Sequence, residues 1–179
     1  MMEGENNLIK KAIKGKPEAF GALYDHYHPR IYRFVLIKVS HKEQAEDITH
    51  QTFLKAWENI KTYEPQGHPF GSWLYKIARN TVIDHYRASR QKISLEDVSP
   101  EALGIDDSLV GKIEISIEWE NLLESIRELK EIEQDVLIMR FVENLPHKEV
   151  AEAVQKTENA VKVIQHRAIK KLKKKVDNK

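Results

Sequence analysis

The segment Pro69-Phe-Gly-Ser-Trp-Leu-Tyr-Lys-Ile-Ala-Arg-Asn-Thr-Val-Ile-Asp-His-Tyr-Arg-Ala-Ser-Arg90 has the pattern of one long helix with two different faces. Pro69 and Gly71 interrupt the preceding structure, Ser72 is a suitable N-cap, and no later Gly or Pro breaks the pattern. At about 100° per residue, one broad side carries Leu74, Tyr75, Ile77, Ala78, Thr81, Val82 and Tyr86. That side predicts the packing face of a core helix.

The opposite side of the same helix is basic. It carries Lys76, Arg79, Asn80, Arg87 and Arg90, with Trp73 at its edge. Guanidinium and ammonium groups neutralise phosphates, and an indole ring offers a base a surface on which to stack. We therefore predict that this face binds a strand of nucleic acid. The alternative, for this stretch taken alone, is the ordinary solvated basic face of a core helix.

The composition favours an all-α protein of two small helical domains. The chain has 179 residues, 41% of them hydrophobic and 32% charged, with 7 Gly and 6 Pro. It has no Cys, which excludes disulfide and thiolate chemistry and fits a reducing cytosol. No apolar run approaches the ~20 residues of a membrane span, and no signal-peptide pattern opens the sequence. We expect a cytoplasmic protein with no membrane insertion of its own.

Charge is unevenly distributed along the chain, although the formal net charge is only +1. Residues 93–120 hold eight carboxylates against one lysine, Lys112. Residues 160–179 hold eight basic side chains against one carboxylate, Asp177. An acidic middle thus separates two basic regions, which indicates contact with a polyanion at two places. The acidic stretch also contains Ser, Pro and Gly and loses helical periodicity, as is typical of a flexible linker.

Three or four helices precede the basic one in the sequence. Residues 5–14 have the pattern of a short amphipathic helix. A second pattern predicts either one long helix or two abutting ones, with Pro29 as a bend. Ser40 and Glu43 have the spacing of a capping box, which predicts the start of another helix that runs to about Ile60. The sequence predicts no strand.

Residues 147–166 fit the spacing of a helix-turn-helix. Small or apolar residues occupy the positions where the two helices would meet: Val150, Ala151, Val154, Val161 and Ile164. The turn, where Gly is usual, has Gln155, so we expect this residue at positive φ. The pattern predicts a compact DNA-binding module, with a basic helix that completes a bundle as the alternative.

The second helix of this module would turn a polar stripe outward. The stripe consists of Lys162, Val163, His166, Arg167, Lys170 and Lys173. A helix N-terminus and its cations hold phosphates, Lys162 and Arg167 can reach base edges, and Val163 can touch a thymine methyl group. The sequence therefore predicts a second surface for nucleic acid.

Several stretches occur in a characteristic order. In the first half they are Phe20-Gly-Ala-Leu-Tyr24, Ala45-Glu-Asp-Ile-Thr-His-Gln-Thr-Phe-Leu-Lys-Ala-Trp57, Phe70-Gly-Ser-Trp-Leu-Tyr-Lys-Ile-Ala-Arg-Asn80 and Asp84-His-Tyr-Arg87. In the second half they are Leu137-Ile-Met-Arg-Phe-Val142, Glu149-Val-Ala151, Ala160-Val-Lys162 and His166-Arg167. The two sets resemble the two conserved domains of extracytoplasmic-function sigma factors, which belong to the bacterial sigma-70 family. The resemblance covers nearly the whole chain.

The resemblance implies a division of the chain. Residues 1–91 would form sigma domain 2, which binds core RNA polymerase and recognises the minus-ten promoter element. Residues 92–116 would be a linker that threads polymerase near the RNA path, where negative charge imitates RNA. Residues 117–179 would form sigma domain 4, which recognises the minus-thirty-five element. The residues implied for binding the clamp helices of the largest polymerase subunit are Asp47, His50, Gln51, Phe53 and Trp57.

The same resemblance implies the promoter contacts. The loop from Thr62 to Pro69 would take a flipped base, at a cost of roughly a few kcal/mol of unstacking that the loop and the basic face must recover. The residues implied for the minus-ten element are Thr62, Tyr63, His68, Trp73, Lys76, Arg79, Asn80, Asp84, Arg87 and Arg90. Those implied for the minus-thirty-five element are Thr157, Glu158, Asn159, Lys162, Val163, His166, Arg167 and Lys170.

The expected partners are bacterial core RNA polymerase, promoter DNA and an anti-sigma factor, which in this family commonly clamps the two domains together. The chain departs from the family at His50-Gln51, where Gln-Glu is usual, and at His166, where an aromatic or polar reader is common. We therefore do not transfer the family's detailed contacts with the clamp helices, or its promoter preference, to this chain. The eight histidines show no metal-site spacing, so we expect no metal, no cofactor and no catalytic activity.

Two other functions remain open from the sequence. A dimeric helix-turn-helix repressor would bind a palindromic duplex without polymerase, but it leaves the motifs of residues 45–90 unexplained. A helical adaptor that binds only proteins predicts that the cations can be neutralised without loss of function, namely Arg79, Arg87, Lys162 and Arg167.

Overall fold

The computed structural model describes the backbone of residues 4–64, 69–93 and 117–176, and the side chains of residues 4–64, 69–88 and 122–175. Within these ranges the chain consists of helices and turns with no strand, which confirms the all-α prediction. The first half contains α1 (Glu5–Ile13), α2 (Pro17–Val39), α3 (Lys42–Asn59) and α4 (Phe70–Ile93). The second contains α5 (Ile117–Arg127), α6 (Glu131–Leu137), α7 (His147–Val154) and α8 (Glu158–Val176). His68 and most of the expected linker lie outside the described residues.

The first half is a bundle in which α2 packs against α1, α3 and α4. Among its wholly buried side chains are Leu23, Ile31, Phe34, Ile48 and Leu74. Each helix places its apolar residues on one face because they recur every three or four positions. α2 is a single helix, and Pro29 lies on its exposed side, where the carbonyl oxygen left without an N–H donor can bond to water.

The predicted packing face of α4 is buried over most of its length. The buried residues on it are Leu74, Tyr75, Ala78, Thr81 and Val82. Tyr86 departs from the prediction, since 41% of its surface is exposed. Its hydroxyl donates a hydrogen bond to the carbonyl oxygen of Lys38 in α2 at 2.9 Å.

Two capping predictions were wrong. Ser40 is the C-cap of α2, with φ 57, and α3 begins after His41 without a side-chain capping bond. α4 begins at Phe70, so Ser72 lies inside its first turn, with its hydroxyl buried and unpaired among the described residues. Phe70 is buried in an aromatic cluster, and this packing places the start of α4 before Ser72. Local sequence signals do not contain that information.

The second half contains the predicted helix-turn-helix, formed by α7 and α8. The residues buried where these helices meet are Val150, Ala151, Val154 and Val161. Gln155 has φ 54 and ψ 49, which confirms the positive φ expected at this turn. Thr157 caps α8, because its Oγ1 accepts a hydrogen bond from the backbone N–H of Ala160 at 3.2 Å.

The two halves pack against each other through one continuous apolar core. α7 lies along α4, while α5 and a π-helical turn that continues α6, Ile138–Val142, lie against α2. In the π turn the backbone N–H of Glu143 bonds to the carbonyl oxygen of Ile138 at 3.0 Å. Glu143 directly follows this turn, and its side chain contacts Arg33 of α2.

Candidate nucleic-acid and protein interfaces

The outer surface of α3 carries a stripe of exposed side chains. Asp47, His50 and Gln51, which were expected to contact polymerase, are exposed along it. Leu54 lies one turn further on, with 50% of its surface exposed. These positions recur at three- and four-residue steps and therefore share one face of the helix. The stripe is a polar surface with a large apolar side chain within it.

Two other residues of the expected polymerase set lie behind this stripe. Phe53 is 4% exposed, and its ring centroid is 4.7 Å from that of Tyr24. Trp57 is half-buried, with its ring centroid 4.9 Å from that of Phe20. Both rings pack α3 against α2, so their main role is to hold the stripe in position.

Leu54 was not predicted from the sequence. A leucine in an amphipathic helix is normally a core residue, but the sequence analysis assigned Leu54 neither to the core nor to a site. The signal lies in its angular position, three residues after Gln51 and seven after Asp47, both of which face outward. An exposed apolar side chain within a polar stripe is a candidate contact for a protein partner.

The basic face of α4 is partly open and partly covered. Of the predicted residues, Asn80, Asp84 and Arg87 are exposed, and Trp73 and Lys76 are half-buried. Asp84 forms an exposed ion pair with Lys55 of α3 at 3.5 Å, at the open end of the face. The side chain of Arg90 lies outside the described ones.

Arg79, at the centre of the basic face, is bound to a carboxylate of the second half. Its Nε lies 2.7 Å from Oδ2 of Asp135 in α6, and its side chain is 19% exposed. Asp135 is fully buried, and its other oxygen accepts a hydrogen bond from Nζ of Lys38, whose side chain is 1% exposed. One buried carboxylate thus neutralises two cations of the first half. The guanidinium predicted to bind a phosphate is already occupied.

Glu143, whose carboxylate is buried, makes a second ion cluster between the halves. Its two carboxylate oxygens accept hydrogen bonds from Nε and Nη2 of Arg33 at 2.7 and 3.0 Å. Nη2 of Arg30 donates to the carbonyl oxygen of Glu143 at 2.7 Å, and the hydroxyl of Tyr75 donates to the carboxylate at 3.0 Å. Burial, reinforced by Glu143, raises the pKa of Tyr75, so the phenol stays a donor. Neither cluster was predicted from the sequence.

The described ends of the expected base-binding loop differ in exposure. Thr62 is exposed, and its hydroxyl donates to the carbonyl oxygen of Asn59 at 2.8 Å. Tyr63 is buried, with ring centroids 5.3 Å from Phe70 and 5.1 Å from Trp73. Burial raises the pKa of Tyr63 to about 12. A cleft of about 440 Å³ separates this region from the turn of the helix-turn-helix at Gln155.

The outer face of α8 is open along its length. The predicted residues exposed on it are Glu158, Asn159, Lys162, Val163, His166, Arg167 and Lys170. Val163 keeps 49% of its surface exposed, and Lys162 forms an ion pair with Glu158 one turn earlier at 3.1 Å. Thr157 is also exposed, but its hydroxyl is engaged as the cap of α8. An exposed basic helix face of this kind is a candidate for major-groove contact.

A polar network behind α8 fixes its orientation, and sequence reasoning missed it. Oε1 of Gln165 lies 2.9 Å from Nε2 of His147, at the start of α7, and accepts a hydrogen bond from Nε of Arg140 at 3.4 Å. Arg140 also donates to the carbonyl oxygen of Leu145. The contacts join three consecutive elements, so the angle between α7 and α8 is held by hydrogen bonds as well as by packing.

The described part of the chain holds no group of three or more potential metal-ligating side chains. Among the same residues, no helix is long and apolar enough to span a lipid bilayer.

Glu149, on α7, gives the packing a pH dependence. Burial raises the pKa of Glu149, and the nearby Glu5 carboxylate adds to the effect. The folded protein therefore holds this proton more tightly than the unfolded chain, so the free energy of unfolding falls as pH rises from about 4.3 through the raised pKa. We expect Glu149→Gln to raise the Tm at neutral pH, with a gain that shrinks as pH falls toward 4. Thermal unfolding across this range checks it, and a pH-independent gain would contradict it.

Two family models match the chain. Residues 23–92 match Sigma-70 region 2, and residues 125–174 match Sigma-70, region 4. The chain is 31% identical over 163 residues to the extracytoplasmic-function (ECF) RNA polymerase sigma factor SigX of Bacillus subtilis (strain 168). The alignment covers 88% of this chain and 83% of that protein. The chain belongs to the ECF sigma factors. Among its relatives is the ECF RNA polymerase sigma factor BldN of Streptomyces coelicolor, at 38% identity over 168 residues.

That second alignment covers 92% of this sigma factor, which spans 63% of the length of BldN. Among solved structures, this sigma factor is similar to the sigma factor RpoE in complex with the anti-sigma factor NepR from Bartonella quintana. The TM-score is 0.71 at 19% identity, over 88% of this chain and 96% of that one. At this identity the similarity shows a shared fold.

Proposed function

We propose that this sigma factor binds bacterial core RNA polymerase and directs it to specific promoters. The observation that carries the proposal is that each matched family region presents an open face of suitable chemistry. Region 2 presents the α3 stripe, which offers a protein partner polar groups around Leu54. Region 4 presents the outer face of α8, whose exposed cations suit the phosphates and base edges of a major groove.

The division of labour follows the family regions. We assign polymerase binding and minus-ten recognition to residues 1–91, the linker to residues 92–116, and minus-thirty-five recognition to residues 117–179. Polymerase supplies the chemistry of RNA synthesis, and we propose no catalytic activity for this chain. Because its partners are polymerase and promoter DNA, we place its site of action in the cytoplasm.

Binding of the minus-ten strand requires a rearrangement. Arg79 is paired with Asp135, and α7 lies along α4 beside the basic face. A phosphate cannot replace Asp135 at this guanidinium while α6 stays in place. We therefore propose that the described arrangement is a closed state, and that the halves separate before α4 engages unpaired DNA. The open face of α8 requires no such change.

An anti-sigma factor is the natural partner of the closed state. The RpoE structure named above contains such a partner, NepR. A protein that binds both halves of this chain would hold Asp135 against Arg79 and so withhold the minus-ten contact. Such a protein would shift the equilibrium toward the closed state by the difference between its binding free energies for the closed and open states.

Run-off transcription tests the function. Purified bacterial core polymerase would be given a pool of upstream DNA regions with and without this protein, and we expect new, specific start sites in its presence. Arg79→Ala and Lys162→Ala should abolish them, whereas Lys10→Ala, an exposed lysine of α1 outside both surfaces, should not. If cores from several bacteria neither bind the protein nor start anywhere new, the sigma function is wrong. Binding to a palindromic duplex without polymerase would then favour a repressor.

A further inference from the structure

α1 reaches the region that is expected to capture a promoter base. Glu5, at the first position of α1, is 5% exposed. Its carboxylate accepts a hydrogen bond from the hydroxyl of Tyr27 in α2 at 3.0 Å. Burial and the Glu5 carboxylate both raise the pKa of Tyr27, so the phenol keeps its proton and remains the donor. The bond fixes the Tyr27 ring in position.

Tyr27 in turn supports the end of the loop that leads into α4. Its ring centroid lies 5.6 Å from that of Phe70 in an edge-on contact. A Cβ atom on Gly71 would come within 3.1 Å of Cε1 of Tyr27, which is tighter than an ordinary contact. The first turn of α4 is therefore seated directly on the ring that Glu5 holds.

The start of the loop rests on the same cluster. The ring of Tyr63 contacts Phe70 and Trp73, at centroid distances of 5.3 and 5.1 Å. The 3₁₀ turn Ile60–Thr62 before it packs against α1. The hydrogen bond between Glu5 and Tyr27 thus fixes a ring that contacts Phe70, and Phe70 contacts Tyr63. Through these contacts it supports both described ends of the loop, which are only a few residues apart in the sequence.

We propose that Glu5 is a positioning residue for promoter opening, acting through Tyr27 to hold the platform of Tyr63, Phe70 and Trp73, whose half-buried Trp73 ring would stack on an unpaired base. This inference rests on the proposed sigma function. α1 precedes residues 23–92, which match region 2, so the family region does not include it. Capture of a flipped base must recover its unstacking cost, and a platform held in one geometry recovers more than one that must be ordered on binding.

The inference is tested with holoenzyme on a promoter found by the run-off experiment. Permanganate reactivity of unpaired thymines would follow strand opening, and core affinity and binding to a minus-thirty-five duplex would be measured in parallel. We expect Glu5→Ala to slow opening about tenfold, with core affinity and duplex binding unchanged. Glu5→Gln keeps an acceptor for the Tyr27 hydroxyl, so it should open DNA within about twofold of the parent protein. Tyr27→Phe keeps the ring and should resemble Glu5→Ala.

Three outcomes would overturn the inference. Opening at the parent rate in both Glu5→Ala and Tyr27→Phe would show that the bond does not matter. An equal loss in opening, core affinity and duplex binding would show a general structural role. Failure of Glu5→Gln to restore opening would show that the acceptor is not the cause. The parent protein distinguishes failure of this inference from failure of the proposed function. The proposed function fails only if the parent holoenzyme opens no promoter.

Discussion

An Asp135→Asn variant should favour the open state and bind single-stranded minus-ten DNA more tightly than the parent. Asp135 is the buried partner of both Lys38 and Arg79. When Asp135 loses its charge, Lys38 and Arg79 have no counter-ion in the closed interface. Breaking a buried ion pair costs about 3–5 kcal/mol. This cost applies to the closed state alone, because Lys38 and Arg79 are solvated once the halves separate. The ratio of closed to open forms should therefore fall at least about a hundredfold.

The separation can be measured directly. The chain has no Cys, so one cysteine introduced in each half would carry the dyes of an energy-transfer pair. Glu46→Gln is the matched control, because it removes the same charge from an exposed pair with Lys42 at 4.0 Å, and surface pairs contribute about 0–1 kcal/mol. Arg79→Ala should also open the protein, yet it should not gain DNA affinity. An Asp135→Asn protein that stays closed and binds DNA as the parent does would refute the closed-state proposal.

A Leu54→Asp variant should fold normally and lose most of its affinity for core polymerase. Leu54 is half-exposed on the α3 stripe, so the change costs little in the free protein. Apolar anchors at the centre of an interface are commonly worth about 2 kcal/mol or more, so the Kd for core polymerase should rise at least about thirtyfold. Fluorescence titration of labelled protein with core polymerase would measure it.

Leu54→Met is the control for this position, because it keeps an apolar side chain of similar volume. It should bind within about threefold of the parent, and both variants should share the parent Tm. Binding of Leu54→Asp at parent strength would exclude the α3 stripe as the polymerase contact. His50 and Gln51 lie on the same stripe, and their replacement tests whether polar groups beside Leu54 contribute.

The helices themselves were largely predictable from the sequence. The apolar side of α4 and the seam between α7 and α8 follow from a period of 3.6 residues, which depends only on neighbours along the chain. The exposed stripe of α8 was predicted for the same reason. Errors occurred where local signals are ambiguous. Ser40 is chemically able to cap a helix, but here it ends one in the left-handed conformation.

The contacts between the halves were not predictable in this way. Arg79 and Asp135 are 56 residues apart in the sequence, and Arg33 and Glu143 are 110 apart. Each of these residues has the local pattern of an ordinary charged residue on a helix surface. The position of Glu5 beside Tyr27 also depends on which helices pack together, and periodicity does not specify that.

The sequence by itself determined the helices, the helix-turn-helix and the outward face of α8, because backbone geometry converts residue spacing directly into a face. It also placed cations on the solvent side of α4. Only the tertiary structure decided that Arg79 is not available, because Asp135 reaches it across a packed interface, as Glu143 reaches Arg30 and Arg33 of α2. Burial makes that difference large, since a charge removed from water must find a partner in the fold.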